Sequence, residues 1–300
     1  MGTFQGGKHL LEQLESIRSQ THGCWKLFVS DDGSTDNTLP ILLDFQASLC
    51  PDQMKIVAGP QRGFAANFMS LLLNPSVEGD YFAFCDQDDV WDKEKLAVAV
   101  SNLEPLSDLG RRPAVYGSAA IVVDNNLNVL GKSHAACPVA SFKNALAQNI
   151  VGGNTIVLNK KMRNFLLQVG SVEIVSHDWW IYLICTGVDG VFYFDESPKI
   201  FYRQHANNLI GAISSRKIKF QRVEQLMRGR YKRWTEVNLN ALENAKSVLT
   251  KENIDTVDHF SSLRRMPFPL RLLELYRSGI RRQSWQENLG LFFACLMNRL

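Results

Sequence analysis

Four stretches of this chain set carboxylates, aromatic rings and imidazoles at spacings that suit chemistry. The densest is Phe84-Cys85-Asp86-Gln87-Asp88-Asp89-Val90-Trp91. Carboxylates at i and i+2, placed just after an apolar run, can converge on one hard cation whose shell is completed by water and phosphate oxygens. Such a cation neutralises a diphosphate leaving group. An acidic turn capping the helix that begins near Asp92 would use the same residues, but the buried run before it and the flanking aromatics favour a site. The second stretch is Asp31-Asp32-Gly33-Ser34-Thr35-Asp36. Its carboxylates can accept hydrogen bonds from a nucleobase imide and a ribose hydroxyl. Ser34, Thr35 and Asp36 read as helix-capping residues, which leaves Asp31 and Asp32 as the functional pair. The third, Ser176-His177-Asp178-Trp179-Trp180, puts an acid beside two indoles. Indole faces suit the C–H surface of a sugar while the acid takes a hydroxyl proton; a capping Asp followed by two core tryptophans accounts for the residues equally well. The fourth, Tyr202-Arg203-Gln204-His205-Ala206-Asn207-Asn208, offers an imidazole nitrogen to a metal and a guanidinium to phosphate. A lone His is more often structural, so this stretch is weak by itself.

The elements around these stretches alternate. His9 to Gln20 puts Leu10, Leu11, Leu14 and Ile17 on one helical face. Trp25 to Ser30 is a strand running into the first acidic turn, and a helix carrying Ile41, Leu42 and Phe45 follows. Strands at Met54–Ala58 and Tyr81–Cys85 and helices at Phe64–Leu73 and Asp92–Leu103 repeat the pattern. Strand, acidic turn, helix describes a mostly parallel α/β sheet with flanking helices. In such sheets ligands gather beyond the carboxyl ends of the strands, where both acidic clusters fall. Thr3-Phe4-Gln5-Gly6-Gly7 looks like the turn after a first strand without that strand, so the start is truncated or the sheet is one strand short. Further on, Val115–Val123 is a strand, and Asp124-Asn125-Asn126 turns it into a hairpin with Leu127–Leu130. Gly152-Gly153-Asn154-Thr155 is a loop before the apolar Ile156-Val157-Leu158. Trp179–Thr186 is a buried helix, with short strands at Val191–Phe194 and Ile200–Arg203.

The net charge of +3 conceals an asymmetry. Residues 211–300 hold 17 Lys/Arg against 8 Asp/Glu, a balance of +9; residues 1–210 hold 16 against 22, a balance of −6. The domain division expected is therefore 1–211 and 212–300, an acidic body and a basic amphipathic helical extension. In the extension, Pro269–Arg277, Ile280-Arg281-Arg282 and Leu289–Met297 mix arginine with large apolar side chains. That mixture fits an interfacial helix on an anionic membrane, or else a packed appendage or a dimer interface. Nucleic acid is excluded as a partner because no recognition motif accompanies the charge. No stretch reaches the length of a membrane-spanning helix, and the N-terminus lacks the pattern of a secretory signal. The six cysteines are scattered without a CxxC pair, which points to a reduced, cytoplasmic setting and against zinc or a disulfide framework.

Taken in order, the motifs resemble family 2 glycosyltransferases of GT-A fold, and most of all a bacterial rhamnosyltransferase-like branch. The resemblance rests on Thr3-Phe4-Gln5-Gly6-Gly7-Lys8-His9-Leu10, Val29-Ser30-Asp31-Asp32-Gly33-Ser34-Thr35-Asp36, Gly63-Phe64-Ala65-Ala66-Asn67-Phe68 and the three later stretches. It covers about residues 3–211 and departs at Gln5, where Asn is usual, and in the absent first strand. It implies an inverting, metal-dependent transfer in a single displacement, with Mg or Mn as cofactor. The donor would be a nucleotide-diphosphate sugar, with dTDP-L-rhamnose a candidate, and the acceptor a growing, lipid-linked cell-surface glycan. By analogy Asp31, Asp32, Asp86 and Arg203 face the nucleotide, Asp88 and His205 hold the metal, and Asp178 is the base. Gly153, Asn154, Trp179 and Trp180 go to the sugar and acceptor, with Asp89 either behind the metal or on a sugar hydroxyl. The enzyme would sit peripherally on the inner face of the cell membrane. Two rivals stand beside it: a non-catalytic glycan-binding or assembly partner with a degenerate nucleotide site, and a nucleotidyltransferase.

Overall fold

The computed structural model describes residues 1–133, 140–204 and 229–300. Three strands run parallel in the order β1 (Gly2–Thr3), β2 (Leu27–Asp31), β3 (Met54–Ala58). Gly2 pairs with Ser30 and Thr3 with Asp31, so the strand that the sequence seemed to lack is present as two residues. The signal was too short to be legible: two residues carry no alternation. The Gly2 amide then donates to the Cys85 carbonyl (3.3 Å), which joins this sheet to a second in the order β4 (Tyr81–Ala83), β9 (Val157–Asn159), β6 (Ala114–Ser118), β10 (Val191–Asp195). β9 is antiparallel to both neighbours, and β6 and β10 are parallel. Every residue of β6 is buried, as expected of a strand covered on both faces.

A small third sheet completes the frame: β5 (Val90–Trp91), β11 (Ile200–Arg203), β7 (Ile121–Val123), β8 (Val129–Lys132). The single strand expected at Val115–Val123 is thus divided, β6 entering one sheet and β7 another; β7 and β8 do form the expected hairpin. The pairing of β11 with β5, Ile200 to Trp91 and Phe201 to Val90, brings Arg203 beside the Asp86–Asp89 turn.

Helices α1 (Leu10–Arg18), α2 (Thr38–Ala47), α3 (Phe64–Leu72) and α4 (Lys95–Leu106) follow the early strands. A short α5 (Phe142–Ala145), α6 (Lys160–Val169) and α7 (His177–Gly187) come next. Every residue of α7 is buried. Four more helices close the described chain: α8 (Arg230–Ala245), α9 (Lys251–Leu263), α10 (Leu270–Ser278) and α11 (Trp285–Leu296). The described part of the basic extension is therefore divided into separate helices. Thr250 caps α9 by accepting from the Asn253 amide, and Gly279 ends α10 at φ 70°. The boundary at 211/212 lies outside the described residues. The helices beyond it share the largest core with α7: Tyr231, Leu242, Phe260, Leu275 and Leu291 pack in one cluster with Trp180 and Leu183. They are built into the body, and α10 and α11 still leave large apolar side chains exposed.

Candidate functional site

β2 delivers Asp31 and Asp32 to the top of the first sheet. Asp31 is buried and its carboxylate is fully engaged. Oδ1 accepts from the Thr3 hydroxyl (2.9 Å) and the Ser34 hydroxyl (2.6 Å), and Oδ2 from the Ser34 amide (2.8 Å) and the Gly33 amide (3.3 Å). Gly33 makes this possible at φ 97°, a backbone region open to glycine. Asp32 is half-buried, its Oδ1 taking the Gln61 amide (2.6 Å). Asp36, read as a capping residue, accepts from the Thr38 amide (3.1 Å) and from the Gly7 amide (2.9 Å). Ser34 accepts the Gln5 amide (2.9 Å). Gln5 itself stands at φ 52°, a left-handed conformation that asparagine tolerates better than most residues.

The second acidic turn is differently furnished. Phe84 and Cys85 are buried, Asp86, Gln87 and Asp88 half-buried, and Asp89 fully buried. Burial pushes the Asp86 carboxyl up to about 7, and the negative charges of Asp88 and Asp178 push the same way against the terminal amine and Lys95. Burial also raises Asp89 well above the usual carboxylate range, aided by Asp86 and Asp88. Asp89 Oδ2 accepts from the Asn154 amide (2.6 Å) and Oδ1 from the Arg203 backbone amide (3.0 Å). Asp89 and Asn154 therefore hold each other. Gln87, for which the sequence pattern suggests no role, clamps the N-terminal loop: its Oε1 accepts from the Phe4 amide (2.8 Å) and its Nε2 donates to the Phe4 carbonyl (2.9 Å). A Cβ on Gly6 would overlap the Gln87 side chain, so the glycine in that loop was the available signal.

Asp178 stands in the first turn of α7, its Oδ1 accepting from the Trp179 amide (2.7 Å). Its charge acts on Asp86, so the third stretch meets the first although the two are far apart in sequence. His177 beside it is buried among Phe68 and Phe84, with ring centroids 4.3 Å and 4.9 Å away. Burial lowers its pKa to about 4, which keeps the ring neutral. A Cβ on Gly153 would overlap that imidazole; this close approach is what the glycine permits. The Gly63–Phe68 segment contributes here too: Gly63 opens α3 at φ 86°, Asn67 Nδ2 donates to the Ser30 carbonyl (3.0 Å), and Phe68 faces His177.

Three assignments change. Trp179 and Trp180 are core residues rather than a stacking platform. Trp179 Nε1 donates to the Ala145 carbonyl (2.7 Å) and its ring meets Trp234 edge-on, while Trp180 is fully buried. The apolar neighbours of α7 on all sides outweigh the single-sided exposure that stacking needs. Arg203 is also fully buried rather than open to a diphosphate. Its guanidinium donates to the Asp88 carbonyl (2.8 Å) and the Asn125 carbonyl and pairs with Glu12. A buried charge needs partners, and Arg203 finds them in the backbone of the acidic turn. It thereby positions that turn. His205 lies outside the described residues. Among the described residues no group of three or more His, Cys, Asp or Glu side chains could hold a metal. Asp86 and Asp88 nonetheless suit a hard divalent ion in kind, because Mg²⁺ is commonly held by one or two carboxylates plus substrate phosphates. Their mutual repulsion is negative charge that a cation would relieve.

A sequence model of the family described as Glycosyl transferase family 2 matches residues 1–126. The chain is 31% identical over 253 residues to dTDP-rhamnosyl transferase RfbG of Shigella flexneri, an alignment covering 81% of this chain and 84% of that protein. It is 28% identical over 165 residues to UDP-Glc:alpha-D-GlcNAc-diphosphoundecaprenol beta-1,3-glucosyltransferase WfgD of Escherichia coli, covering 55% of this chain and 60% of that protein. In three dimensions it is similar to residues 1–349 of S. aureus TarS in complex with UDP-GlcNAc. The TM-score is 0.58 at 15% identity, over 99% of this chain and 86% of that one. The fold is of GT-A type.

Proposed function

We propose that this chain, which belongs to glycosyl transferase family 2 and is a glycosyltransferase, transfers L-rhamnose from dTDP-L-rhamnose to a growing cell-surface glycan with inversion. The donor follows the named activity of the Shigella flexneri relative. The lipid-linked acceptor follows the diphosphoundecaprenol substrate in the name of the Escherichia coli one. The observation that supports the site assignment is proximity: the Phe84 and His177 rings lie 4.9 Å apart, and the charges of Asp178 and Asp88 both act on Asp86, so the acidic turn and the start of α7 lie side by side.

In this reading Asp178 accepts the proton of an acceptor hydroxyl as that oxygen bonds to the anomeric carbon and the bond from that carbon to the diphosphate breaks. Asp32, half-buried at the end of β2, takes the nucleoside, and Asp31 keeps its turn in shape. Asp86 and Asp88 would hold a Mg²⁺ or Mn²⁺ ion, with His205 as a further ligand. When bound, that ion stabilises the charge of the departing diphosphate. Gly153 and Asn154 shape the sugar side, and Asp89, tied to Asn154 and Arg203, anchors the turn from behind. In-line geometry puts base and leaving group on opposite sides of the sugar.

We further propose a peripheral seat on the inner face of an anionic membrane. No helix among the described residues is long and apolar enough to cross one. Instead Leu270, Leu273 and Tyr276 on α10 and Trp285, Leu289, Phe293 and Leu296 on α11 are exposed, Tyr276 at 75% and Trp285 at 69%. Exposed Arg265, Arg277 and Arg281 stand among them. Apolar side chains among arginines suit acyl chains below and anionic headgroups above.

Isothermal titration of dTDP with and without Mn²⁺ tests the site. Binding that depends on the ion is expected; binding indifferent to it, or none, counts heavily against the reading. Asp178→Asn is expected to lower transfer by roughly 10²–10⁴-fold with dTDP affinity nearly unchanged. Equal loss of both removes Asp178 from the role of base.

A further inference from the structure

The start of α8 forms a cleft of about 340 Å³ lined by Gly229, Arg230, Arg233 and Trp234. Residues at i, i+3 and i+4 share one helical face, so a single turn of α8 supplies both guanidiniums and the indole. Arg230 stacks on Trp234, its guanidinium carbon 4.3 Å from the ring centroid, which holds the planar fork in place. A third guanidinium arrives from beyond α11. A Cβ on Gly229 would stand 3.3 Å from Arg299 Nη1, so the glycine, at φ 74°, leaves room for that approach. Among the described residues no carboxylate lines the cleft, and neither the Arg230 nor the Arg233 guanidinium has a hydrogen-bond or ion-pair partner. Glu236, the first acid along α8, is taken by Arg264 (3.4 Å).

This turn is fixed to the body. The Tyr231 hydroxyl donates to the Ala147 carbonyl (3.0 Å), and Arg282, seated over the Tyr231 ring, donates through Nε to the same carbonyl (3.2 Å). Trp234 meets Trp179 edge-on with centroids 6.2 Å apart, and the Trp179 amide donates to Asp178. One pair of contacting indoles therefore separates the cleft from the proposed base. Arg299 in turn follows Leu296 and Met297, exposed apolar residues where the proposed membrane face ends.

Arginines held in place without an anion of their own suit a phosphate group, which accepts from guanidinium forks bidentately. Three of them suit the higher charge of a diphosphate. The donor's diphosphate goes, in the reading above, to the cation at the acidic turn, so an acceptor's diphosphate needs a seat of its own. We propose that the Arg230–Arg233 cleft, with Arg299 at its edge, binds the diphosphate of a lipid-linked acceptor whose sugar extends to Asp178. This rests on the reading of the chain as a transferase acting on such an acceptor. An anionic lipid headgroup offers the same phosphate chemistry with less charge, and the test separates the two sources.

Isothermal titration of geranyl diphosphate into the full chain, with chelator present so that no metal contributes, reads the cleft directly. Saturable binding is expected, and Arg230→Gln/Arg233→Gln is expected to weaken it by roughly 10–100-fold. Arg111→Gln/Arg112→Gln removes the same charge from the exposed turn after α4. That pair is expected to change binding by less than about twofold. No binding by the wild type, or equal weakening in the two double variants, overturns the proposal. If Arg230→Gln/Arg233→Gln does not fold, Arg233→Gln alone, at an exposed position, decides: roughly tenfold weakening is expected, and none overturns the proposal. Dihexanoyl phosphatidylglycerol, kept below its micelle concentration, is expected to bind at least about tenfold more weakly than geranyl diphosphate. Equal or tighter binding assigns the cleft to membrane headgroups and overturns the acceptor role. With saturating Mn²⁺ and dTDP the geranyl diphosphate affinity is expected to stay within about twofold; mutual exclusion places the probe in the donor site and overturns the proposal. A wild-type chain that binds no dTDP with Mn²⁺ removes the donor-site reading and leaves the chelated titrations to decide the cleft.

Discussion

The turns at Asp31–Asp36 and Asp86–Asp89 carry the same sequence signature, adjacent carboxylates at the carboxyl end of a strand. The fold completes them in opposite ways. The first turn is satisfied from within: four hydrogen bonds converge on Asp31, and Asp36 ties the N-terminal loop through the Gly7 amide. In the second, Asp89 takes neutral donors from Asn154 and the Arg203 backbone, and the Asp88 charge opposes ionisation of Asp86. A carboxylate that accepts several local donors shapes a loop. One that is crowded by like charge is a candidate to bind something positive. Sequence alone does not separate the two, because the difference lies in what the rest of the chain brings up behind each turn.

The contrast can be broken by exchange of roles. Asp88→Asn is expected to lower transfer by roughly 10²–10³-fold with little loss of stability, whereas Asp31→Asn is expected to lower stability by about 1–3 kcal/mol and reduce transfer only through a weakened nucleoside pocket. Steady-state kinetics beside urea unfolding of both variants decides; the reverse pattern would end the distinction.

A smaller effect concerns pH. Asp86 is raised to about 7 in the folded protein, so between about pH 4 and 7 the native state keeps a proton that the unfolded chain has released. Stability of the metal-free protein should therefore fall as pH rises through that window and level off above it. Asp89, also raised, adds to the slope. Mn²⁺ must displace the Asp86 proton, so its binding should tighten over the same range. Urea unfolding at pH 5 and pH 7.5 should show a shallower decline in Asp86→Asn than in the wild type; parallel declines would mean that the second turn is no more strained than the first.

The smallest expected effect lies farthest from both turns. Phe293→Glu, at an exposed position of α11, is expected to weaken sedimentation with phosphatidylglycerol vesicles by about tenfold or more while dTDP binding stays unchanged. Equal sedimentation of variant and wild type would remove α11 from the membrane face.

Much of this arrangement was legible in the chain. Periodicity located β3 at Met54–Ala58 to the residue and came within a few residues of α1, α3 and β2. The ordered motifs indicated the family before any coordinates, since six spaced motifs rarely coincide by chance. Other features were hidden for physical reasons. β1 spans only two residues, and its partner rather than its composition makes it a strand. Trp179 and Trp180 were ambiguous because an indole suits a sugar face and a core equally, and only the helices packed around α7 resolve the choice. Arg203 carried the right charge for phosphate, but its direction depends on how β11 pairs with β5.

The sequence by itself determined the class of fold and the family, and it nominated the acidic turns, because strand periodicity and turn chemistry are local properties written into neighbouring residues. Tertiary structure alone decided which carboxylates take hydrogen bonds from the rest of the chain and which lie in the field of like charge. That depends on Thr3 meeting Asp31 and Asn154 meeting Asp89, and hydrogen bonding and Coulomb interactions are set by distance in space rather than along the chain.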